Sequence, residues 1–224
     1  MTTGEKFVSA AEIALMADLT TRQVHSLVRI GALPAALVVG TRNRYFAPLA
    51  AVFAAFYFQT HEELTLAARK RAIAVLCERV LERSDCQIFL ALNGRLRKTE
   101  FDWSVPFGCV TITLKPYVHT AIKHVLQARR ALRRIVEDPG ILSGTACFKG
   151  TRLPIRNALA AVAAGIPFAT LHAAYPFLSP SLLDDAAVYV RIRPNAGRER
   201  RAAQLFRQLK PVHSKVVRTS KNSQ

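Results

Sequence analysis

The chain has 224 residues, half of them hydrophobic, with 32 lysines and arginines against 15 acids, a formal charge of +17. That length supports a real hydrophobic core in one large or two to three small domains, and a charge so far from zero speaks to anionic partners. The most apolar stretch, Ala47 to Phe58, falls short of the roughly 18 residues that span a bilayer, and residues 1–6 lack the apolar core of a secretion signal, so a cytoplasmic nucleic-acid-binding protein is expected.

Residues 1–59 read as a winged helix-turn-helix. Ser9 and Glu12 form a capping box for a short helix with Ala10, Ile13 and Ala14 on its apolar side, which breaks at Asp18-Leu19. Thr20 or Thr21 caps a second helix with Val24, Leu27 and Val28 inside; Gly31 ends it and Pro34 prevents its return. Leu37-Val38-Val39 and Tyr45-Phe46 flank Gly40-Thr41-Arg42-Asn43-Arg44, a small hairpin with a basic tip, and a helix follows from Pro48 to about Phe58.

Residues 60–136 read as a small α+β module that helps to build a dimer. Thr60 and Glu63 are expected to open a helix to about Arg83, with Leu64, Ala68, Ala72, Val75 and Leu76 on one face. Gln87 to Leu92 is expected as a strand, Asn93-Gly94 as a two-residue hairpin turn with a return strand, and Val110 to Leu114 as a third strand. Pro116 suits the start of a long helix with Val118, Ile122, Val125, Leu126, Leu132 and Ile135 inside. Its other face carries Lys123, Arg129, Arg130, Arg133 and Arg134, which points either to phosphate contact or to a solvated surface.

Residues 137–194 read as a three-helix, helix-turn-helix-like bundle. A turn at Asp138-Pro139-Gly140 and a hairpin around Cys147 to Arg152 lead into a helix from Ile155 to Ala164; two more start at Pro167 and at Ser179-Pro180. Gly150-Thr151-Arg152 lacks the lysine and spacing of a phosphate loop, and is expected as a structural turn with Arg152 tying the hairpin to the helices. Residues 195–224 form a basic tail with eight bases and one acid. The fold class expected is thus mainly α with small β hairpins. Cys77, Cys86, Cys109 and Cys147 have apolar neighbours and no C-x-x-C spacing, so buried free thiols are expected. No cofactor or metal site is expected: Asp18, Asp85 and Asp102 are isolated, and Asp184 and Asp185 point to different helix faces.

Two segments resemble known families. Glu12-Ile13-Ala14, Thr20-Thr21-Arg22-Gln23-Val24, Gly31-Ala32-Leu33-Pro34 and Arg44-Tyr45-Phe46 resemble the MerR-type or excisionase-type winged helix-turn-helix. Asp138-Pro139-Gly140-Ile141, Lys149-Gly150-Thr151-Arg152-Leu153-Pro154-Ile155, Ala164-Gly165, Tyr175-Pro176-Phe177-Leu178 and Asp185-Ala186-Ala187-Val188-Tyr189 are similar to the domain-of-unknown-function 433 family, which occurs in VapB-like antitoxins. The resemblance covers about residues 135–193 and implies a toxin–antitoxin system whose toxin is a PIN-type ribonuclease.

The candidate DNA-binding residues are Thr20, Thr21, Arg22, Gln23, His25, Ser26 and Arg29 on the second helix, with Arg42 and Arg44 in the wing. Arginine and glutamine read base edges in the major groove, and threonines near a helix start bind phosphate. The candidate toxin-binding residues are Arg198, Arg201, Phe206, Arg207 and Leu209: the apolar pair suits a groove, and a guanidinium suits the acidic centre of a nuclease. The resulting expectation is an antitoxin, not an enzyme, that represses its own operator as a homodimer built by the middle and third segments, with the apolar faces of the middle segment at the interface. Two rivals stay open: a stand-alone MerR-like regulator without a toxin partner, and an RNA-binding or nucleic-acid-processing enzyme.

Overall fold

The computed structural model describes residues 7–194. Strand β1 (Val8–Ser9) runs into helix α1 (Ala10–Ala17), capped by the expected box: Ser9 Oγ accepts from the Glu12 N–H, and Glu12 Oε2 accepts from the Ser9 N–H at 2.9 Å. Asp18 stands in the left-handed region (φ 54°) and turns the chain into α2 (Thr21–Arg29). Strands β2 (Val38–Val39) and β3 (Tyr45–Phe46) form the hairpin, and β1 adds to its other edge, giving the order β1-β3-β2. Gly40 makes the tip possible: its φ is +83°, and a Cβ there would collide with the Asn43 carbonyl.

Helix α3 (Ala50–Gln59) is the centre of the molecule. Ala50 to Tyr57 are all buried, so the helix has no polar side to turn to water. Around it pack α1, α4 (Leu66–Leu81) and the 20-residue α6 (Lys115–Arg134). Val118, Ala121, Ile122, Val125 and Ala128 recur every three or four residues and form the buried stripe of α6. The C-terminal part consists of the hairpin β6 (Ile135–Glu137) and β7 (Ala146–Phe148), then α7 (Ile155–Ala163), α8 (Phe168–Ala174) and α9 (Pro180–Ile192). Helix α9 packs on both α6 and α1, so one hydrophobic core runs from the first helix to the last described one. The fold is predominantly helical with small sheets.

The middle segment departs from the strand-rich expectation. Residues Cys86–Leu90 form a helix, α5, and Asn93 caps a 3-10 turn, Gly94–Lys98, by accepting from the Arg95 N–H. Burial explains the change: Phe89 and Leu92 are the buried pair, three apart, and Phe89 sits in an aromatic cluster with Phe101 (5.0 Å) and Trp103 (6.1 Å). The hairpin that does form joins β4 (Ser104–Phe107) to β5 (Val110–Thr113). The order is helix, helix, hairpin, helix. Thr60 does not open α4; its hydroxyl donates to the Phe56 carbonyl at the end of α3, and Thr65 caps α4.

Several smaller expectations change as well. Ala72, Leu76, Val118, Ile122 and Val125 are buried inside the chain's own core, so these apolar positions are not free to face a second copy, while Leu126 is exposed and Ile135 lies in β6. Cys77 and Cys147 are buried thiols; against expectation, Cys86 is only half-buried and Cys109 is exposed at the β4–β5 turn. Burial pushes the Cys77 thiol up to about 11. Thr151 does build the expected turn, its hydroxyl donating to the Phe148 carbonyl and accepting from the Leu153 N–H. Arg152, however, is exposed and bonds nothing among the described residues, so it ties no hairpin to a helix.

Candidate nucleic-acid interface

Helix α2 is amphipathic in a way that presents cations. Val24 and Leu27 are fully buried, which turns Arg22, His25, Ser26 and Arg29 (spaced by three and four) to the other side. The β2–β3 hairpin brings Arg44 to the same place. Arg22, His25, Ser26, Arg29 and Arg44 together line one open hollow of about 330 Å³. Its lining holds three guanidiniums and no carboxylate, a local field suited to an anionic ligand. The His25 ring lies 6.4 Å from Phe46 of β3, which seats the helix against the wing.

Thr20 and Gln23 have structural work as well. Thr20 Oγ1 accepts from the Gln23 N–H at 3.2 Å, and Gln23 Oε1 accepts from the Thr20 N–H at 2.8 Å and from its hydroxyl at 2.9 Å. The box satisfies two free donors at the helix start and commits the Gln23 carbonyl oxygen, leaving its amide N–H₂ for a ligand. Thr21 and Arg42 are exposed beside the hollow's residues in sequence without lining it. Lys70 of α4 reaches the end of α2 without lining the hollow: its Nζ donates to the Ile30 carbonyl at 2.6 Å. Forty residues separate them, so no motif signals the pairing.

The basic face of α6 is largely committed internally. Arg130 Nε donates to both oxygens of Asp185 (2.8 and 3.0 Å), and an Arg134 guanidinium nitrogen donates to the same carboxylate at 2.9 Å. Arg129 donates to the Ala91 carbonyl. Lys123 and Arg133 remain exposed. Asp185 is fully buried and Asp184 exposed, so the two do occupy different faces of α9. A buried carboxylate is retained only when paired, and the i, i+4 arginines of α6 supply the pair. Tyr189, one turn on, donates to Glu137 at 2.8 Å; burial and that bond push its hydroxyl up to about 12.

Among the described residues no three His, Cys, Asp or Glu side chains gather as a metal site, and no helix is long and apolar enough to cross a membrane. Arg198, Arg201, Phe206, Arg207 and Leu209 lie outside the described residues.

Comparison with known proteins places part of this chain. Residues 135–190 match the family described as "Protein of unknown function (DUF433)". These are the strands and helices from β6 to α9, the segment whose resemblance was quoted above. Over 195 residues the chain is 30% identical to the "Uncharacterized protein y4eO" of Sinorhizobium fredii (strain NBRC 101917 / NGR234), covering 87% of this chain and 85% of that one. A solved structure, the X-ray crystal structure of Rv2018 from Mycobacterium tuberculosis, is similar at 14% identity over 80% of this chain and 95% of that chain, with a TM-score of 0.35.

Proposed function

We propose that this chain, which belongs to the same family as the rhizobial protein y4eO, is a DNA-binding antitoxin and not an enzyme: a winged helix-turn-helix repressor of its own operator that also neutralises a PIN-type ribonuclease. The observation that carries the DNA-binding half is the convergence of Arg22, His25, Ser26 and Arg29 of α2 with Arg44 of the wing on one open, carboxylate-free hollow. In such a motif the second helix enters the major groove. Arg22, near its start, reads a base edge, while Arg44 and Lys70 hold phosphates at either side.

The toxin-neutralising half rests on the DUF433 match at residues 135–190 and on the resemblance of that module to antitoxin domains. The basic tail would reach the acidic nuclease centre, with Phe206 and Leu209 as apolar anchors.

The test is binding of the full chain to a fragment of its own promoter, followed by fluorescence anisotropy. Arg22→Ala should cost about 1–3 kcal/mol and relax sequence preference. Arg44→Ala should weaken all sequences alike and flatten the salt dependence. Unchanged affinity in both variants overturns the DNA-binding reading. Truncation after Arg193 tests the other half: rescue from a co-expressed nuclease toxin should be lost while promoter binding is largely kept, and full rescue by the truncated chain removes the tail from the toxin interface.

A further inference from the structure

The start of α6 and the segment that leads into β4 enclose a hollow of about 530 Å³ that the proposed function does not use. Its floor is apolar: Leu96, Trp103, Val118 and Ile122 are buried and Phe101 is half-buried. Phe101 and Trp103 meet edge to face at 4.6 Å, with buried Phe89 against both, so part of that floor is an aromatic wall. The Leu114 N–H donates to the Trp103 carbonyl at 2.8 Å and ties the wall to the start of α6. Small-ligand sites are hollows of about 300–1,000 Å³ with an apolar lining and a few placed polar groups. Here the polar groups carry both signs. Glu100 and Asp102 stand before β4, and Lys115 and His119 stand one turn apart on α6, all four exposed at the rim. They do not satisfy one another. The side chains of Glu100, Lys115 and His119 make no hydrogen bond or ion pair among the described residues, and Asp102 uses only Oδ1, on the Ser104 N–H at 3.0 Å.

We infer that this hollow binds a free aromatic α-amino acid. The ring joins the Phe101–Trp103 wall, where a further aromatic finds edge-to-face partners. The ammonium group takes the carboxylates of Glu100 and Asp102, and the carboxylate takes the donors of Lys115 and His119. Charge selects this occupant over the other classes. A nucleotide or sugar phosphate would bring its anion against two carboxylates, and it is better served by the carboxylate-free hollow between α2 and the wing. A simple amine would leave Lys115 without a partner. An internal residue of a peptide brings no charge to a rim that offers both signs. A free amino acid carries both on one carbon, beside an apolar side chain.

Titration of the full chain with L-phenylalanine tests it, read through Trp103, the one tryptophan of the chain. Emission should change saturably at millimolar ligand or below, and calorimetry, which also detects binding that leaves emission unchanged, should give the same affinity. L-Alanine keeps both charges but lacks the ring, and should not compete. N-acetyl-L-phenylalanine lacks the ammonium and L-phenylalaninamide the carboxylate. Each should bind roughly fivefold more weakly, since charge pairs at an exposed rim are individually modest. Glu100→Gln/Asp102→Asn should erase the preference for L-phenylalanine over its N-acetyl form, and Lys115→Gln/His119→Gln the preference over the amide. Both variants should keep the natural melting temperature without ligand, because all four side chains are exposed, and should still bind the form whose missing charge they no longer read. Neither emission change nor heat with L-phenylalanine, competition by L-alanine at equal concentration, or charge preferences that survive both double substitutions overturns the inference. Tighter binding of the N-acetyl form overturns it too and assigns the hollow to an aromatic carboxylate. Promoter DNA enters none of these measurements, so their failure leaves the DNA-binding proposal untouched.

Discussion

The two longest uncharged stretches of this chain, residues 45–61 and 157–183, meet opposite fates. The first supplies α3, whose residues Ala50 to Tyr57 are all buried. The second supplies α8 and its flanks, which stay at the surface. The compositions are alike: alanine, large aliphatic residues and aromatics. The difference lies in neighbours. Helix α3 is met by α1, α4 and α6, all presenting apolar stripes. Around α8 only Leu171 and Leu178 turn inward, while Phe168, Tyr175 and Phe177 stay exposed. Absence of charge therefore does not by itself tell whether a stretch is enclosed by its own chain.

That contrast can be broken by paired truncations. Phe53→Ala in α3 should cost about 3–5 kcal/mol in chemical denaturation, as a large buried ring leaves a cavity. Phe168→Ala in α8 should stay within about 0.5 kcal/mol in the isolated protomer. Comparable losses at the two sites would mean that α8 is covered by this chain after all.

Asp185 sharpens the comparison, since it fastens the module that carries α8 to α6. Asp185→Ala strands Arg130 and Arg134, which keep 43% and 44% exposure and so recover some hydration. A loss of about 2 kcal/mol is expected, less than for a fully buried pair, read as a shift in urea midpoint. Thr20→Ala removes the cap of α2 and should cost about 1 kcal/mol, and under the proposed function it should weaken promoter binding by fraying α2.

Alkaline pH gives the smallest and most graded effect. The folded state holds the Cys77 proton to about 11 against an ordinary 9.0, and the Tyr189 proton to about 12 against 10.0. Between those limits the unfolded chain has released protons that the folded chain retains, so stability falls as pH rises. It should be level below about pH 9 and decline from there toward about 12. Urea midpoints across that range should show the decline beginning later in Cys77→Ala.

Much of this was legible in the sequence because the cues were local. The Ser9–Glu12 and Thr20–Gln23 boxes, Gly31, Gly40 and the Ser179-Pro180 start all work within a few residues, and the helices of the C-terminal part begin and end where those cues say. The candidate hollow was also largely readable, since Arg22, His25, Ser26 and Arg29 share a helix face and Arg44 lies just beyond. What failed was decided at a distance. Ile88-Phe89-Leu90 suits a strand or a helix, and the ring of Trp103 settles it. Asn93-Gly94 suits a hairpin turn or a cap, and the same packing decides. Arg130 and Arg134 read as free cations until Asp185, about fifty residues on, is brought against them.

The long reach between α1 and α9 has a consequence for the order in which the protein comes into being. His124 of α6 donates to the Met16 carbonyl of α1, and Arg191 of α9 faces Asp18, at the turn into α2, from 173 residues away. On a ribosome adding about 5–20 residues per second, the head waits roughly 9–35 s for the helix that backs it. A nascent chain has α2 early but not the support that holds it in place. Only a chain that has been made through α9 seats α1 and α2 on the full core, so a transcript cut before α9 should yield no properly supported α2.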